Sequence, residues 1–193
     1  LRCDASTHLS VSASWNIFST CISIRNQFRA STILRSEAET SLRHLTLTIF
    51  GMARGALKLF DSQQRDKDDK FAHRIKGQSW EDASTNNVIS NPVGITLLLG
   101  KIMTVLSGYI DSEIQKVDSI KFGLSLINVA LEAGGTIIGS IDPLVDILRN
   151  DVCRHLLRAS QSDNLDVFSV TMRVIFSLFM SIKDHMKTQL EVF

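Results

Sequence analysis

The sequence predicts an all-α protein, built as an armadillo- or HEAT-like helical-repeat solenoid of about six helices. Apolar residues recur every three or four positions in six segments, which is the period of a helix with one buried face. Only 2 prolines occur in 193 residues, which disfavours a sandwich or barrel with many tight turns. The six segments form three successive pairs, as in stacked helix pairs. No residue-level repeat is present, so a closed six-helix bundle stays open as the alternative.

The first two segments are predicted to form helices over about 5–26 and 31–60. A short strand-like alternation ends at Trp15, whereas the helical period continues beyond it. The apolar series of the first helix is Val11, Trp15, Phe18 and Ile22. Ser31 is the predicted N-cap of the second helix, because its hydroxyl can accept a hydrogen bond from a first-turn amide. The apolar face of that helix is predicted to be Leu34, Ala38, Leu42, Leu45, Ile49 and Met52.

A charged linker is predicted over residues 61–90. Eleven of these thirty residues are charged, and the few apolar residues follow no period. Phe71 and Trp80 are the large apolar groups within it. This composition is typical of a mobile tether.

The third and fourth helices have clear start and stop signals. Asn91-Pro92 opens a helix over about 92–107, since proline is tolerated at the first helical position. Asp111-Ser112 is the predicted cap of the fourth helix, and Gly134-Gly135 ends it because glycine enters the left-handed conformation without strain. The apolar series of the fourth helix is Ile114, Val117, Ile120, Leu124, Ile127 and Leu131.

The fifth and sixth helices fill the last fifty residues. Asp142-Pro143 starts the fifth, and Ser162 or Asp163 is the predicted cap of the sixth. The predicted core face of the fifth helix is Val145, Leu148, Val152 and Leu156. The predicted core face of the sixth is Phe168, Met172, Ile175, Phe179, Ile182, Met186 and Leu190.

Composition excludes several classes of function. The net charge is +1, so no basic surface for nucleic acid is expected. Three widely spaced cysteines, Cys3, Cys21 and Cys153, predict reduced thiols in a cytosolic protein. The apolar stretches 93–109 and 165–182 contain charged residues, so we expect a soluble protein without a spanning helix. The chain starts at Leu1 and not at methionine, which suggests a fragment of a larger protein.

No catalytic, metal or cofactor site is predicted. Cys153 and His155 form a C-x-H pair, but a zinc site needs about four ligands and no second close pair is present. We interpret them as a buried cysteine beside a partly exposed histidine. A Cys-His nucleophile would need His185 or His44 to reach Cys153, and no oxyanion signature supports it.

Five segments resemble a family of eukaryotic regulators. STILRSEAETSL at 31–42 resembles the S-x-L-L-R-x-x-A-E-x-x-L helix near the end of the N-terminal dimerisation (DCB) domain of large Arf guanine nucleotide exchange factors of the Golgi brefeldin A-resistance type. NPVGITLLLGKIMTVLS, LSLINVALEAGG, DILRNDVCRHLL and MSIKDHMKTQLEVF resemble helices of the following homology-upstream (HUS) domain, in the same order. Two features depart from the family pattern: Asn91-Pro92-Val93 replaces its usual tyrosine before Gly94, and the N-[YF]-D-C box is absent.

The resemblance implies a division into the end of a DCB-type domain at 1–60, a linker at 61–90, and the first part of a HUS-type domain at 91–193. It implies a non-catalytic segment of an exchange factor in Golgi vesicle traffic, serving dimerisation, intramolecular regulation or membrane recruitment. Expected partners are neighbouring domains of the parent, a second copy and small GTPases, at the cytoplasmic face of Golgi membranes. A free-standing adaptor that binds a peptide or helix in a groove is the alternative.

A terminal interface is also expected. Apolar residues near the end of the chain would leave an exposed edge, and large exposed patches usually mark interaction sites. Arg154, Arg158, Arg173 and Lys183 form a mild basic patch, for which a solvated face is the simpler explanation. The candidate interface residues are Phe179, Met186, Leu190, Val192, Phe193, Arg154 and Lys183.

Overall fold

The computed structural model describes residues 10–64, 92–111 and 115–185. All the regular elements in these ranges are helical, so the all-α prediction is confirmed, whereas the solenoid stacking remains a prediction. The chain divides into two compact units, with the boundary between Leu99 and Gly100.

The first unit contains two packed helices, α1 (Val11–Asn26) and α2 (Thr32–Gln64). Ser10 caps α1 by accepting a hydrogen bond from the Ala13 amide. The Ser31 hydroxyl accepts one from the Leu34 amide at 3.2 Å, which confirms the predicted cap of α2. α2 continues to Gln64, beyond the predicted end near Phe60, so its last turn includes the start of the predicted linker. Most of the linker lies outside the described residues.

Burial in the first unit follows the predicted faces in most positions. Phe18 of α1 and Leu42 and Ile49 of α2 are buried, while Trp15 is half-buried beside Phe18, with ring centroids 6.1 Å apart. Leu34 was predicted to be in the core and is 46% exposed. Leu34 lies in the first turn of α2. The helical period of α2 does not show which of its turns α1 covers, so the exposure of Leu34 could not be predicted.

The second unit begins within α3 (Pro92–Tyr109) and continues through α4 (Val117–Gly134) and a 3₁₀ segment, Gly135–Ser140. α5 covers residues 142–159 in three consecutive pieces, of which the middle one, Leu148–Val152, is π-helical. α6 (Leu165–Ile182) follows, and a short 3₁₀ turn, Lys183–His185, comes after it.

Two of the four predicted start and stop signals in this unit are correct. Gly135 ends α4 with a φ of 56°, and Pro143 lies in the first turn of α5. The cap predicted for α4 is wrong, because this helix begins at Val117 and Asp111 bonds elsewhere. The caps predicted for α6 are also wrong, because the side chain of Asn164 accepts hydrogen bonds from the amides of Asp166 and Val167, both at 3.1 Å.

The core of the second unit lies between α4, α5 and α6. The predicted faces of α4 and α5 are confirmed, with the exceptions of Val117, which is 42% exposed, and Ile114, which lies outside the described residues. The fully or nearly fully buried members are Ile120, Leu124, Ile127, Leu131, Val145, Leu148, Val152 and Leu156.

The predicted core face of α6 is correct only at Ile182, which is buried; Ile175 and Phe179 are half-buried, and Met186 and Leu190 lie outside the described residues. Phe168 and Met172 are exposed by 40% and 37%. α6 is apolar around most of its circumference, so several faces fit a helical period. The face that packs on α4 and the 3₁₀ segment uses small polar residues, whose hydroxyls bond to backbone carbonyls of their own helix. Its buried members are Val167, Thr171, Val174, Leu178, Ser181 and Ile182.

Two described segments are long and apolar enough to cross a membrane by length and composition alone. The first, Val117–Ser140, is 56% buried within the fold, as a core helix is. The second, Leu165–Ile182, is 39% buried, although Asp166 and Arg173 were predicted to interrupt it too much for a spanning helix. Much of the apolar surface of this helix is therefore exposed to solvent.

Candidate interaction surfaces

An open, mainly apolar groove of about 370 Å³ lies between α1 and α2. Its volume is within the range of small ligand pockets. Ile17, which lines it, is 45% exposed, so one wall is open to solvent. The lining residues are Ser14, Ile17 and Cys21 of α1 and Ser41, His44, Leu45, Thr48, Ile49 and Met52 of α2.

The two described cysteines are unsuited to nucleophilic chemistry. Burial raises the pKa of the Cys153 thiol from its ordinary value of 9.0 to about 11, although the nearby Arg149 guanidinium acts in the opposite direction. Burial also raises the pKa of Cys21, which lies at the α1–α2 groove. Both thiols therefore remain protonated near neutral pH. Since the thiolate is the reactive form, neither is an effective nucleophile.

A buried polar cluster centres on His155 of α5. Its Nδ1 lies 3.0 Å from the carbonyl oxygen of Ser107, near the end of α3. A carbonyl can only accept, so Nδ1 carries the proton in this bond. On the other side of the ring, Nε2 lies 3.9 Å from a carboxylate oxygen of Asp111, and Arg158 lies 3.8 Å from the second oxygen of the same carboxylate. His155 was predicted to be partly exposed, whereas its side chain is only 9% exposed.

Ser107, His155 and Asp111 include the residue types of a hydrolytic triad, but their geometry does not fit that role. The Ser107 hydroxyl is 3.2 Å from Nδ1, the nitrogen that already bonds the backbone. Ser107 is 3% exposed, so a substrate carbonyl has no access to it. The cluster joins α3 to α5 and therefore fixes the packing of the second unit. Ser107 and Asp111 were not predicted as partners of His155, because nothing in the spacing links residues more than 40 positions apart.

The predicted basic patch is partly neutralised in the structure. Arg154 pairs with Asp151 at 3.4 Å, and Arg158 with Asp111. Arg173 and Lys183 are exposed on α6 and on the turn that follows it. No group of three or more His, Cys, Asp or Glu side chains that could hold a metal ion is found among the described residues.

The predicted terminal interface is only partly covered by the structure. Phe179 is half-buried on α6, and Arg154 and Lys183 are exposed. Met186, Leu190, Val192 and Phe193 lie outside the described residues.

The outer surface of α6 is the largest exposed apolar feature in the described part of the second unit. Leu165 is 78% exposed, Phe176 65% and Met180 56%. Together with Phe168 and Met172 they form a line along the helix, at spacings of three and four residues. We call the five side chains Leu165, Phe168, Met172, Phe176 and Met180 the α6 stripe.

Residues 96–193 match the family described as Mon2/Sec7/BIG1-like, HUS domain. The chain is 42% identical over 69 residues to a Caenorhabditis elegans protein named Golgi-specific brefeldin A-resistance guanine nucleotide exchange factor 1 homolog. It is 30% identical over 187 residues to an uncharacterized protein of Schizosaccharomyces pombe. These alignments cover 36% and 92% of this chain, but only 4% and 12% of the relatives. The chain thus corresponds to a small part of much longer proteins.

Proposed function

Because the chain belongs to the Mon2/Sec7/BIG1-like HUS domain family, we propose that it is a regulatory, protein-interaction segment of an Arf guanine nucleotide exchange factor in Golgi vesicle traffic. The observation that carries the proposal is the family match over residues 96–193, which include all of α4, α5 and α6. The HUS domain is a non-catalytic region in this family of exchange factors. The named relative adds the link to the Golgi.

The chemistry of the described residues supports a role without catalysis. The thiol of Cys153 is buried and its pKa is raised to about 11. The His155 ring is held by a backbone carbonyl and shielded from solvent. In contrast, the α6 stripe offers a large apolar surface, which is what a protein partner recognises.

The proposed partners are neighbouring domains of the longer protein, a second copy of it, and small GTPases. The longer protein would be cytoplasmic and peripheral at Golgi membranes. Residues 1–60 would be the end of a DCB-type domain, and the interface would extend from Phe179 and Lys183 into residues 186–193. The resemblance of 31–42 to the dimerisation domain supports the assignment of the first part.

A nucleotide-exchange assay tests the proposal. Arf loaded with a fluorescent GDP analogue is mixed with this chain, and the rate of nucleotide release is compared with the spontaneous rate. We expect the two rates to agree, while a catalytic exchange domain added as a positive control accelerates release. Concentration-dependent acceleration by this chain alone would refute the assignment of a non-catalytic role.

An adaptor that binds a peptide or a helix is a second candidate function. The α1–α2 groove favours it, because helical ligands insert apolar side chains into grooves of this kind. A Met52→Glu substitution at the groove should then abolish peptide capture without changing the helix content measured by circular dichroism.

A further inference from the structure

The α6 stripe is the strongest unassigned feature of the second unit. α6 buries one face on α4 and on the 3₁₀ segment, yet its opposite face is also apolar. A helix that is apolar on nearly all sides is normally covered on nearly all sides. Phe176 and Leu165, the most exposed members of the stripe, leave most of their surface in water. An apolar surface of this kind is typical of a protein-binding interface.

Charges beside the stripe limit what can cover it. Asp166, at the start of α6, is engaged by Lys121, whose ammonium lies 2.6 Å from its carboxylate. Arg173 is exposed near the middle of α6 and has no acidic partner among the described residues. Arg173 lies one position after Met172 and three before Phe176, so it borders the stripe on one side. A partner that lies along the stripe would place a side chain next to this guanidinium.

A second copy is a poor occupant of this surface. In a two-fold pairing the same patch faces itself, and an antiparallel pairing of α6 about its centre brings Arg173 close to its own symmetry mate. No acidic residue within the stripe would offset that repulsion. One face of an 18-residue helix is also smaller than the roughly 800 Å² per partner of a standard stable interface.

A lipid surface also fits less well. Recognition of anionic membranes relies on clusters of about 4–8 basic residues. α6 and its following turn expose only two Lys or Arg side chains, Arg173 and Lys183, together with the His185 imidazole, whereas Lys121 is already paired. One isolated cation at mid-helix is better matched by one carboxylate than by a charged bilayer.

We propose that the α6 stripe binds an amphipathic helix of a partner protein, apolar along one side and carrying a carboxylate near its middle that pairs with Arg173. The apolar side chains of that helix would pack against Met172, Phe176 and Met180, at the i, i+4 spacing that helix-binding surfaces use. This inference deepens the proposed function and depends on it, since it names the partner chemistry of a protein-interaction segment.

A charge-reversal experiment tests the site. The probe is a fluorescent synthetic helical peptide of 18 residues, the length of α6, with leucine along one face and a single glutamate at mid-length. A second peptide carries lysine in place of that glutamate. Binding of each peptide to the complete chain is measured by fluorescence anisotropy at low salt. The chain is tested as wild type, Arg173→Glu, Phe176→Ser and Val117→Ser, the last being an exposed apolar position on α4 that serves as the matched control.

The expected pattern has three parts. Wild type should prefer the glutamate peptide by roughly five- to tenfold, since the lysine peptide replaces an attraction to the exposed Arg173 guanidinium by a repulsion. Arg173→Glu should invert this preference. Phe176→Ser should weaken both peptides about tenfold, as truncation of an interface aromatic does, while Val117→Ser should leave both unchanged. Thermal melting by circular dichroism confirms that every variant is folded.

Several outcomes would overturn the inference. Equal affinity for both peptides, or no saturable binding of either, would refute the proposed helix-binding site on the α6 stripe. Light scattering that shows a wild-type dimer lost in Phe176→Ser assigns the stripe to a second copy. Binding to phosphatidylcholine–phosphatidylserine vesicles that is lost in Phe176→Ser assigns it to a membrane. None of these results affects the exchange assay, and exchange by the chain alone would refute the proposed function whatever the peptides do.

Discussion

Gly123 of α4 is a position where the addition of one methyl group should overpack the contact with α3. A Cβ built there lies 2.7 Å from the Cβ of Tyr109, 3.0 Å from the Cγ2 of Ile110 and 3.3 Å from the Tyr109 carbonyl carbon. The atoms closest to it belong to the base of a side chain and to the backbone, so they cannot move aside as a flexible tip can. The same contact positions the Tyr109 and Phe122 rings edge to face at 6.0 Å.

The expected cost follows from two opposing effects. Overpacking of a tight core contact costs about 1–3 kcal/mol. Alanine in a helix interior gains up to about 1 kcal/mol over glycine. Gly108 of α3 provides the matched control, because a Cβ there meets no atom within 4 Å. The two variants should therefore differ by about 1–3 kcal/mol, with Gly108→Ala at or above wild type.

Thermal unfolding followed by circular dichroism measures this difference. For chains of this length 1 kcal/mol corresponds to roughly 2–4 °C in Tm. Gly123→Ala should therefore melt several degrees below Gly108→Ala. If Gly123→Ala melts at or above Gly108→Ala, then α3 and α4 are not in the close contact described, and the packing of the second unit is wrong.

Three further expectations concern buried polar groups, thiols and the chain end. Thr46→Val should raise stability by about 1 kcal/mol, since the fully buried Thr46 hydroxyl finds no hydrogen-bond partner among the described residues. Thr171→Val should lower stability by a similar amount, because that hydroxyl donates to a carbonyl at 2.7 Å; equal shifts in denaturant melts would contradict this. Cys153 should resist iodoacetamide at pH 8 until the chain unfolds, and rapid alkylation of the folded chain would contradict its burial. Its raised pKa should contribute folding stability that is complete below pH 9.0 and is lost as the pH rises towards 11. Light scattering should show less self-association for a Leu190→Glu, Phe193→Glu double variant than for wild type, and equally monomeric samples would exclude a terminal self-interface.

The sequence predicted correctly those features that a single residue type or a single apolar face determines. Gly135 ends α4 with a φ of 56°, a backbone conformation that few other residues adopt without strain. α5 has a single apolar face, so its period identified the buried residues, such as Leu148 and Leu156. The π-helical piece at Leu148–Val152 left no sequence signal, because every residue in it is also compatible with an α-helix.

Sequence reasoning failed where apolar residues outnumber the buried positions. In α6 the larger side chains, Phe168 and Met172, were assigned to the core, whereas Thr171 and Ser181 occupy it. Small residues allow α6 to approach its neighbours closely, and a Cβ added at Gly139 would lie 3.2 Å from the Ser181 carbonyl. Such contacts depend on three-dimensional proximity that helical periodicity does not encode.

Under the proposed function, the Golgi-bound fraction of the longer protein tests most directly the proposal that this segment acts through protein contacts and not through chemistry. The fraction is measured by fluorescence in cells for wild type, Phe176→Ser and the Val117→Ser control, with exchange on soluble Arf measured in parallel. We expect Phe176→Ser to lower the Golgi-bound fraction while its exchange rate matches that of the control. A loss of exchange rate in Phe176→Ser with Golgi binding unchanged would contradict the account.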